Sequence, residues 1–106
     1  MTDAIGGMRA RLTLQSPTRV ADELGGAAIL WMDEGDVWAD VVERYGGYNE
    51  VFDTDSSVAF YNATIRRHEG VRAGWRVVWG PRRLRITGVL DAGKPHIVLQ
   101  CEEEIL

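Results

Sequence analysis

The chain has 106 residues, with 12 basic against 16 acidic side chains and a formal net charge of -4. That length holds one domain at most and buries roughly two-thirds of the surface of the extended chain. A mildly acidic average argues against a protein whose main task is to coat nucleic acid, while leaving room for a local basic face. The single cysteine, Cys101, excludes an internal disulfide framework and fits a reducing compartment. No apolar run approaches the roughly 20 residues that cross a bilayer, and the N-terminus has no basic region followed by an apolar one, so no membrane association is expected.

Met1 to Gly7 has two glycines and little to bury, which predicts a flexible N-terminal arm ahead of a single domain over residues 8–106. From Met8 to Gln15, Met8, Ala10, Leu12 and Leu14 alternate with Arg9, Arg11, Thr13 and Gln15, the pattern of a half-buried strand. Ser16-Pro17 is expected to end it, because proline cannot donate to a ladder. Thr18 to Leu24 then reads as a polar loop, with Gly25-Gly26 for the return. Ala27 to Met32 is a second strand, Asp33-Glu34-Gly35-Asp36 a polar turn, and Val37 to Val42 a third strand. Trp38 falls on the face opposite Val37, Ala39 and Val41, either over one end of the fold or in a subunit contact.

Glu43 to Ser57 reads as a loop, marked by Gly46-Gly47 and Asn49 and ended by Asp53, Asp55, Ser56 and Ser57. Tyr45, Tyr48, Val51 and Phe52 are too apolar for an idle linker, which points to packing over an end or against a neighbour. Val58 to Arg67 is a strand by composition, with a helix as the second reading. The last third, Trp75 to Glu103, holds three β-rich runs parted by Gly80-Pro81 and Asp91-Ala-Gly-Lys94, the pattern of an antiparallel meander. Arg83, Arg85 and Thr87 alternate with Leu84 and Ile86, and Ile97, Leu99 and Cys101 repeat the alternation.

Short strands with turns between them leave open edges, and closure removes them. The expected fold is therefore all-β, a small antiparallel β-barrel of about six strands with long partner-facing loops. Leu12, Leu14, Ile86, Ile97, Leu99 and Cys101 are its expected core.

No chemistry announces itself. His68 and His96 lack a second histidine or cysteine at ligand spacing, so no metal site and no cofactor is expected. Cys101 reads as a core thiol rather than a nucleophile. Asp33, Glu34 and Asp36 lack the acidic spacing of a calcium loop, and Asp53 with Asp55 reads as a solvated turn. None of the paired glycines has the strand–glycine–helix context, with its lysine, of a phosphate loop. An enzyme is not expected. What remains is charge. Arg66, Arg67, Arg72, Arg76, Arg82, Arg83 and Arg85 place seven of the 12 basic residues within one short stretch. They form either a solvated face or a strip facing phosphate or an acidic partner, with Arg82, Arg83 and Arg85 as a DNA-channel or charge-complementary face. The acidic Glu102-Glu103-Glu104 near the other end makes a head-to-tail contact with that arginine region conceivable.

The order of the pieces resembles the small head–tail joining proteins (head completion or stopper proteins) of long-tailed bacteriophages and of related particles such as gene transfer agents. The residues that carry the resemblance begin with Arg9-Ala-Arg-Leu-Thr-Leu-Gln15-Ser-Pro17, then Gly25-Gly-Ala-Ala-Ile-Leu-Trp31 and Val37-Trp-Ala-Asp-Val41. After a variable loop come Thr64-Ile-Arg-Arg67, the hairpin Gly74-Trp-Arg-Val-Val-Trp-Gly80, and Leu99-Gln-Cys101-Glu near the end. Two places depart from the pattern. Gly46-Gly47-Tyr48-Asn49-Glu50 precedes an acidic segment where a helical stretch is common, and the turn Asp91-Ala-Gly-Lys94 is short.

The resemblance implies a non-enzymatic connector subunit in a virion or phage-like particle assembled in the bacterial cytoplasm. It implies a homo-oligomeric ring of six or twelve copies that closes the DNA-filled head. Its partners would be a portal-side adaptor protein and a tail terminator or tail tube protein, with DNA passing through the channel without sequence-specific binding. A channel lined to let DNA slide should not grip phosphates, which a net acidic chain satisfies. Ring and partner contacts are expected at Arg19, Leu24, Tyr45, Tyr48, Val51 and Phe52. The alternative is a small β-barrel nucleic-acid-binding module that uses Arg82, Arg83 and Arg85 with Trp75 or Trp79.

Overall fold

The computed structural model describes residues 9–44, 57–91 and 95–105. Six strands make up most of it: β1 Ala10–Ala21, β2 Ala27–Arg44, β3 Ser57–Arg66, β4 Arg76–Trp79, β5 Arg82–Asp91 and β6 His96–Ile105. Among the described residues there is no helix. Every pairing is antiparallel, and the strands follow one another around a circuit in the order β1-β2-β3-β6-β5-β4. The circuit returns to its start through only three residue pairs, Thr13 with Val78, Leu14 with Val77 and Gln15 with Arg76.

Period-two alternation explains what lies inside. Leu12 and Leu14 of β1, Ala39 of β2, Ala63 and Ile65 of β3, Val77 of β4, Leu84 and Ile86 of β5, and Leu99 and Cys101 of β6 are all fully or almost fully buried. Tyr61, Trp75 and Ile97 complete the core, which among the described residues contains no buried polar or charged side chain. The core expected from the alternations, Leu12, Leu14, Ile86, Ile97, Leu99 and Cys101, is the core found. The segment from Val58 to Arg66 is strand, not helix.

The expected small barrel with long partner-facing loops is corrected by how the longest two strands behave. Beyond Gln15, β1 leaves the wall and pairs only with β2, from Ser16 with Met32 to Ala21 with Ala27. On β2, pairing with β3 begins only at Ala39. The segment expected as a loop, Thr18–Leu24, is therefore mostly strand, and with its partner it forms a two-stranded ribbon projecting from a ring of strands. Pro17 does not end β1. It pairs with Trp31 in a stretch where one side of β1 has no neighbour, so its missing N–H costs no ladder bond. The ribbon contributes to an elongated outline of 54 × 36 × 23 Å.

Two further expectations change. The strands expected at Ala27–Met32 and Val37–Val42 are one strand, because Asp33–Asp36 forms an irregularity inside β2 and not a turn. The register shifts there, with Leu14 opposite Gly35 and Gln15 opposite Asp33, and Gly35 takes φ 135°, a value side chains rarely adopt. The acids are held across the ribbon root by β1. Asp36 accepts from Thr13 at 2.8 Å and from Arg11 at 3.3 Å, Asp33 accepts from Gln15 at 2.7 Å, and Glu34 accepts from Ser16. A polar turn and a cross-strand polar ladder have the same composition.

Candidate functional site

The ribbon tip is built, not merely permitted. One carboxylate oxygen of Asp22 accepts from the backbone N–H of Leu24 at 2.9 Å and of Gly26 at 2.8 Å, and Asp22 N–H donates to the Gly26 carbonyl at 3.0 Å. Gly25 supplies the positive φ that this return needs. The turn carries Glu23 and Leu24 at the far end, where Leu24 is 94 % exposed. Residues opposite one another share a face, so Ser16, Thr18 and Val20 lie beside Met32, Leu30 and Ala28. Beyond Glu34 at its root, which accepts from Ser16, that face has no charged side chain, and Leu30 and Met32 are each about half exposed on it. The other face carries Pro17, Trp31, Arg19 and Ile29. Its root is fastened to the wall by Arg76 of β4, whose guanidinium sits 4.3 Å from the Trp31 ring and donates to Gln15 at 2.7 Å.

The arginine region divides into two parts with different uses. Arg82 is partly buried. It donates to both carboxylate oxygens of Glu103, at 2.7 and 3.1 Å, and to the Tyr61 hydroxyl, and it lies 4.4 Å from the Trp79 ring. Tyr61 and Trp79 meet edge to face at 5.9 Å between ring centres. The Glu103 hydrogen bonds, opposed by burial and helped by Tyr61, hold the Arg82 guanidinium above its usual pKa. This node closes one end of the circuit and is structural.

Arg83 and Arg85 point outward from β5. Arg85 pairs with Glu102 of β6, and Arg83 donates to the Pro81 carbonyl at 3.4 Å. Arg76 stands directly opposite Arg85, and its pKa is lowered by burial and by the charge of Arg83. Three arginines therefore crowd one patch, the like-charge arrangement that costs stability across strands. With Val58 of β3 and Glu102, Arg83 and Arg85 line a shallow notch in the outer wall.

The sequence-predicted residues are thus dispersed. Arg19 lies on the ribbon and Leu24 at its tip, both exposed. Arg82 belongs to a structural node, and Arg83 and Arg85 to the outer notch. Tyr45, Tyr48, Val51 and Phe52 lie outside the described residues, as do the arm 1–7 and positions 92–94 of the last turn. The conceived contact between the acidic end and the arginine region is made within one chain, by Arg82 with Glu103 and Arg85 with Glu102. Trp38 is 55 % exposed under the Arg11 guanidinium, so it covers no end of this chain. Sequence reasoning missed Leu30, Met32 and Val58 as surface apolar groups, and Arg76 as the ribbon's anchor. The signal available was β-propensity continuing from Thr18 to Ala21 beyond the proline.

Among the described residues, no group of three His, Cys, Asp or Glu side chains could hold a metal ion. Cys101 is buried, and desolvation pushes its thiol up to about 12, leaving it protonated and unreactive at neutral pH. Of the residues the nucleic-acid alternative names, Trp75 is buried, and Trp79 packs edge to face on Tyr61 with the Arg82 guanidinium, committed to Glu103, over its ring.

The sequence pattern of a family described as phage head completion protein matches residues 4–104. A chain in the virion of a native gene transfer agent particle has the same fold, with a TM-score of 0.69 and 24 % identity over 90 % of this chain and 93 % of that one. A Shigella flexneri 2a protein of known solution structure is similar at a TM-score of 0.68 and 25 % identity, over 93 % of this chain and 95 % of its own. No curated protein matches the sequence.

Proposed function

The chain belongs to the phage head completion protein family, and from that premise we propose that it forms the ring that closes a DNA-filled head and receives the tail. It is a structural, non-enzymatic head–tail connector protein of a phage-like particle, and it works as part of an oligomeric assembly. The finer reading is a homo-oligomeric ring of six or twelve copies, seated on a portal-side adaptor and presenting a docking surface to a tail terminator or tail tube protein. DNA passes through the channel without sequence-specific contacts. The contacts that build the ring and seat it lie on the ribbon, at Arg19 and Leu24, and in the segment carrying Tyr45, Tyr48, Val51 and Phe52.

The observation that carries this reading is the ribbon. A two-stranded hairpin is at best marginally stable in water, and this one holds Leu30, Met32 and Leu24 out to solvent on an element that adds nothing to the core. Such an element finds its reason in burial against other subunits. The test is an assembly reaction lacking this protein. DNA-filled heads without tails should accumulate, and the purified protein added back should restore joining. Tailed, intact particles formed at the normal yield without it would refute the reading.

A further inference from the structure

We propose that the tip of the β1–β2 ribbon of one copy seats in the outer notch of the next copy, with Leu24 against Val58 and Glu23 against Arg83. The proposal rests on the ring reading above and supplies its contact. A closed ring of identical subunits joined head to tail needs two different, mutually complementary patches on each chain. The described surface offers such a pair.

The donor patch is the ribbon tip. Leu24 is almost free of contact with its own chain. Glu23 beside it is exposed, whereas the neighbouring acid, Asp22, is occupied in holding the turn. The tip is thus an apolar side chain and a carboxylate on a short, ordered turn. Six ribbon residues beyond the last wall pairing carry it roughly 20 Å out from the body, at about 3.3 Å per residue. Arg76, stacked on Trp31 and bonded to Gln15, fixes the direction in which the ribbon leaves.

The acceptor patch is the notch of Val58, Arg83, Arg85 and Glu102. Val58 gives it an exposed apolar floor. Among the described side chains its charge is unbalanced: Arg76, Arg83 and Arg85 crowd together, and Glu102, which lines the notch with them, pairs with Arg85. No ion pair of Arg83 is present among the described residues, so the notch presents a positive charge beside an apolar surface. The tip presents the complement of both. Burying one carboxylate near this cluster would relieve the like-charge crowding and remove Leu24 from water. Next to Val58, the outer faces of β2 and β3 continue with Phe60 and the exposed Val42. Asn62 Oδ1 and Arg44 Nε are buried there without hydrogen-bond partners among the described residues. The outer part of the ribbon face with Leu30, Met32 and the Thr18 hydroxyl would lie along that wall.

Both contact points are surface positions, so paired cysteines test the contact directly in assembled particles. Leu24→Cys and Val58→Cys are placed on the same chain, and Cys101 does not compete because it is buried. Mild oxidation of particles carrying this variant should give a ladder of covalent multimers that ends at the ring number. Covalent dimers alone would overturn the proposal, since they report a two-fold contact. Tailed particles containing the variant but giving no cross-link would overturn this contact and leave the connector function standing. Particles that exclude the wild-type protein altogether would overturn the function on which the contact rests. Charge reversal gives a second route. Glu23→Arg or Arg83→Glu alone should lower the yield of tailed particles by roughly tenfold, and the two together on every copy should restore most of it. A combination no better than either single change contradicts the pairing.

Discussion

The strand circuit and the ribbon are made from the same two strands, yet they are held by different physics. Inside the circuit, β1 and β2 present Leu12, Leu14 and Ala39 to a core shared by all six strands. From Ser16 to Ala21 and from Ala27 to Met32, the same strands have only one another, and apart from Trp31 under Arg76 none of their apolar side chains belongs to the core or packs against it. The circuit owes its stability to burial. The ribbon owes its shape to a backbone ladder, the acid–hydroxyl and acid–amide pairs at its root, and the Asp22 cap at its tip. A chain under no demand from a partner has little reason to keep such an extension, and on the proposed reading the difference separates the part that folds from the part that assembles.

The sharpest way to break this division is to damage the circuit. Leu99→Ala removes a fully buried side chain at the centre of β6 and should destabilise the isolated subunit by about 2–5 kcal/mol, read from a denaturant melt. A loss below about 1 kcal/mol would mean that the core is not the source of stability. Next in size, Arg82→Ala strands Glu103 and the Tyr61 hydroxyl at the end of the circuit and should cost about 1–3 kcal/mol. A neutral result would make that node ornamental.

A pH titration refines the same picture. The Cys101 thiol has its folded pKa raised to about 12 from an ordinary value near 9. Below pH 9 the thiol is neutral in both states and its contribution is intact. Above pH 9 the unfolded chain releases the proton first, so stability should fall with pH until about pH 12, by at most about 1.4 kcal/mol per pH unit. Cys101→Val should lack that component, and equal pH profiles for parent and variant would show that the thiol is not buried as described. The smallest expected effect concerns the ribbon. Leu30→Ser with Met32→Ser should change subunit stability by less than about 1 kcal/mol while reducing the yield of tailed particles. A large loss of stability there would erase the distinction between the two regions.

How much of this was legible in the sequence follows from the same distinction. Where side chains alternate into a core, as at Leu12–Leu14, Leu84–Ile86 and Ile97–Cys101, the strands and their inward faces can be read, because burial imposes period two. In the ribbon neither face meets the core. Ser16–Pro17 then resembled a stop, and Asp33–Asp36 a turn, since proline and clustered acids carry those meanings when a strand has neighbours on both sides. The arginine cluster was legible as charge, but its division was not. Arg82 is committed to Glu103 and Tyr61, while Arg83 faces outward, and that depends on which strands lie side by side. Arg76 as the ribbon's clamp depends on the β1–β4 seam, which no local pattern announces.

The central claim, that the circuit folds alone and the ribbon is completed by assembly, is tested most directly by hydrogen exchange on the free subunit and on assembled particles. Amides of Ser16, Thr18–Ala21 and Ala27–Asp33 should exchange quickly in the free subunit and gain protection of at least about tenfold in the particle, while those of Leu12, Leu84 and Leu99 stay protected in both. Equal protection of the ribbon in the two states would contradict the account.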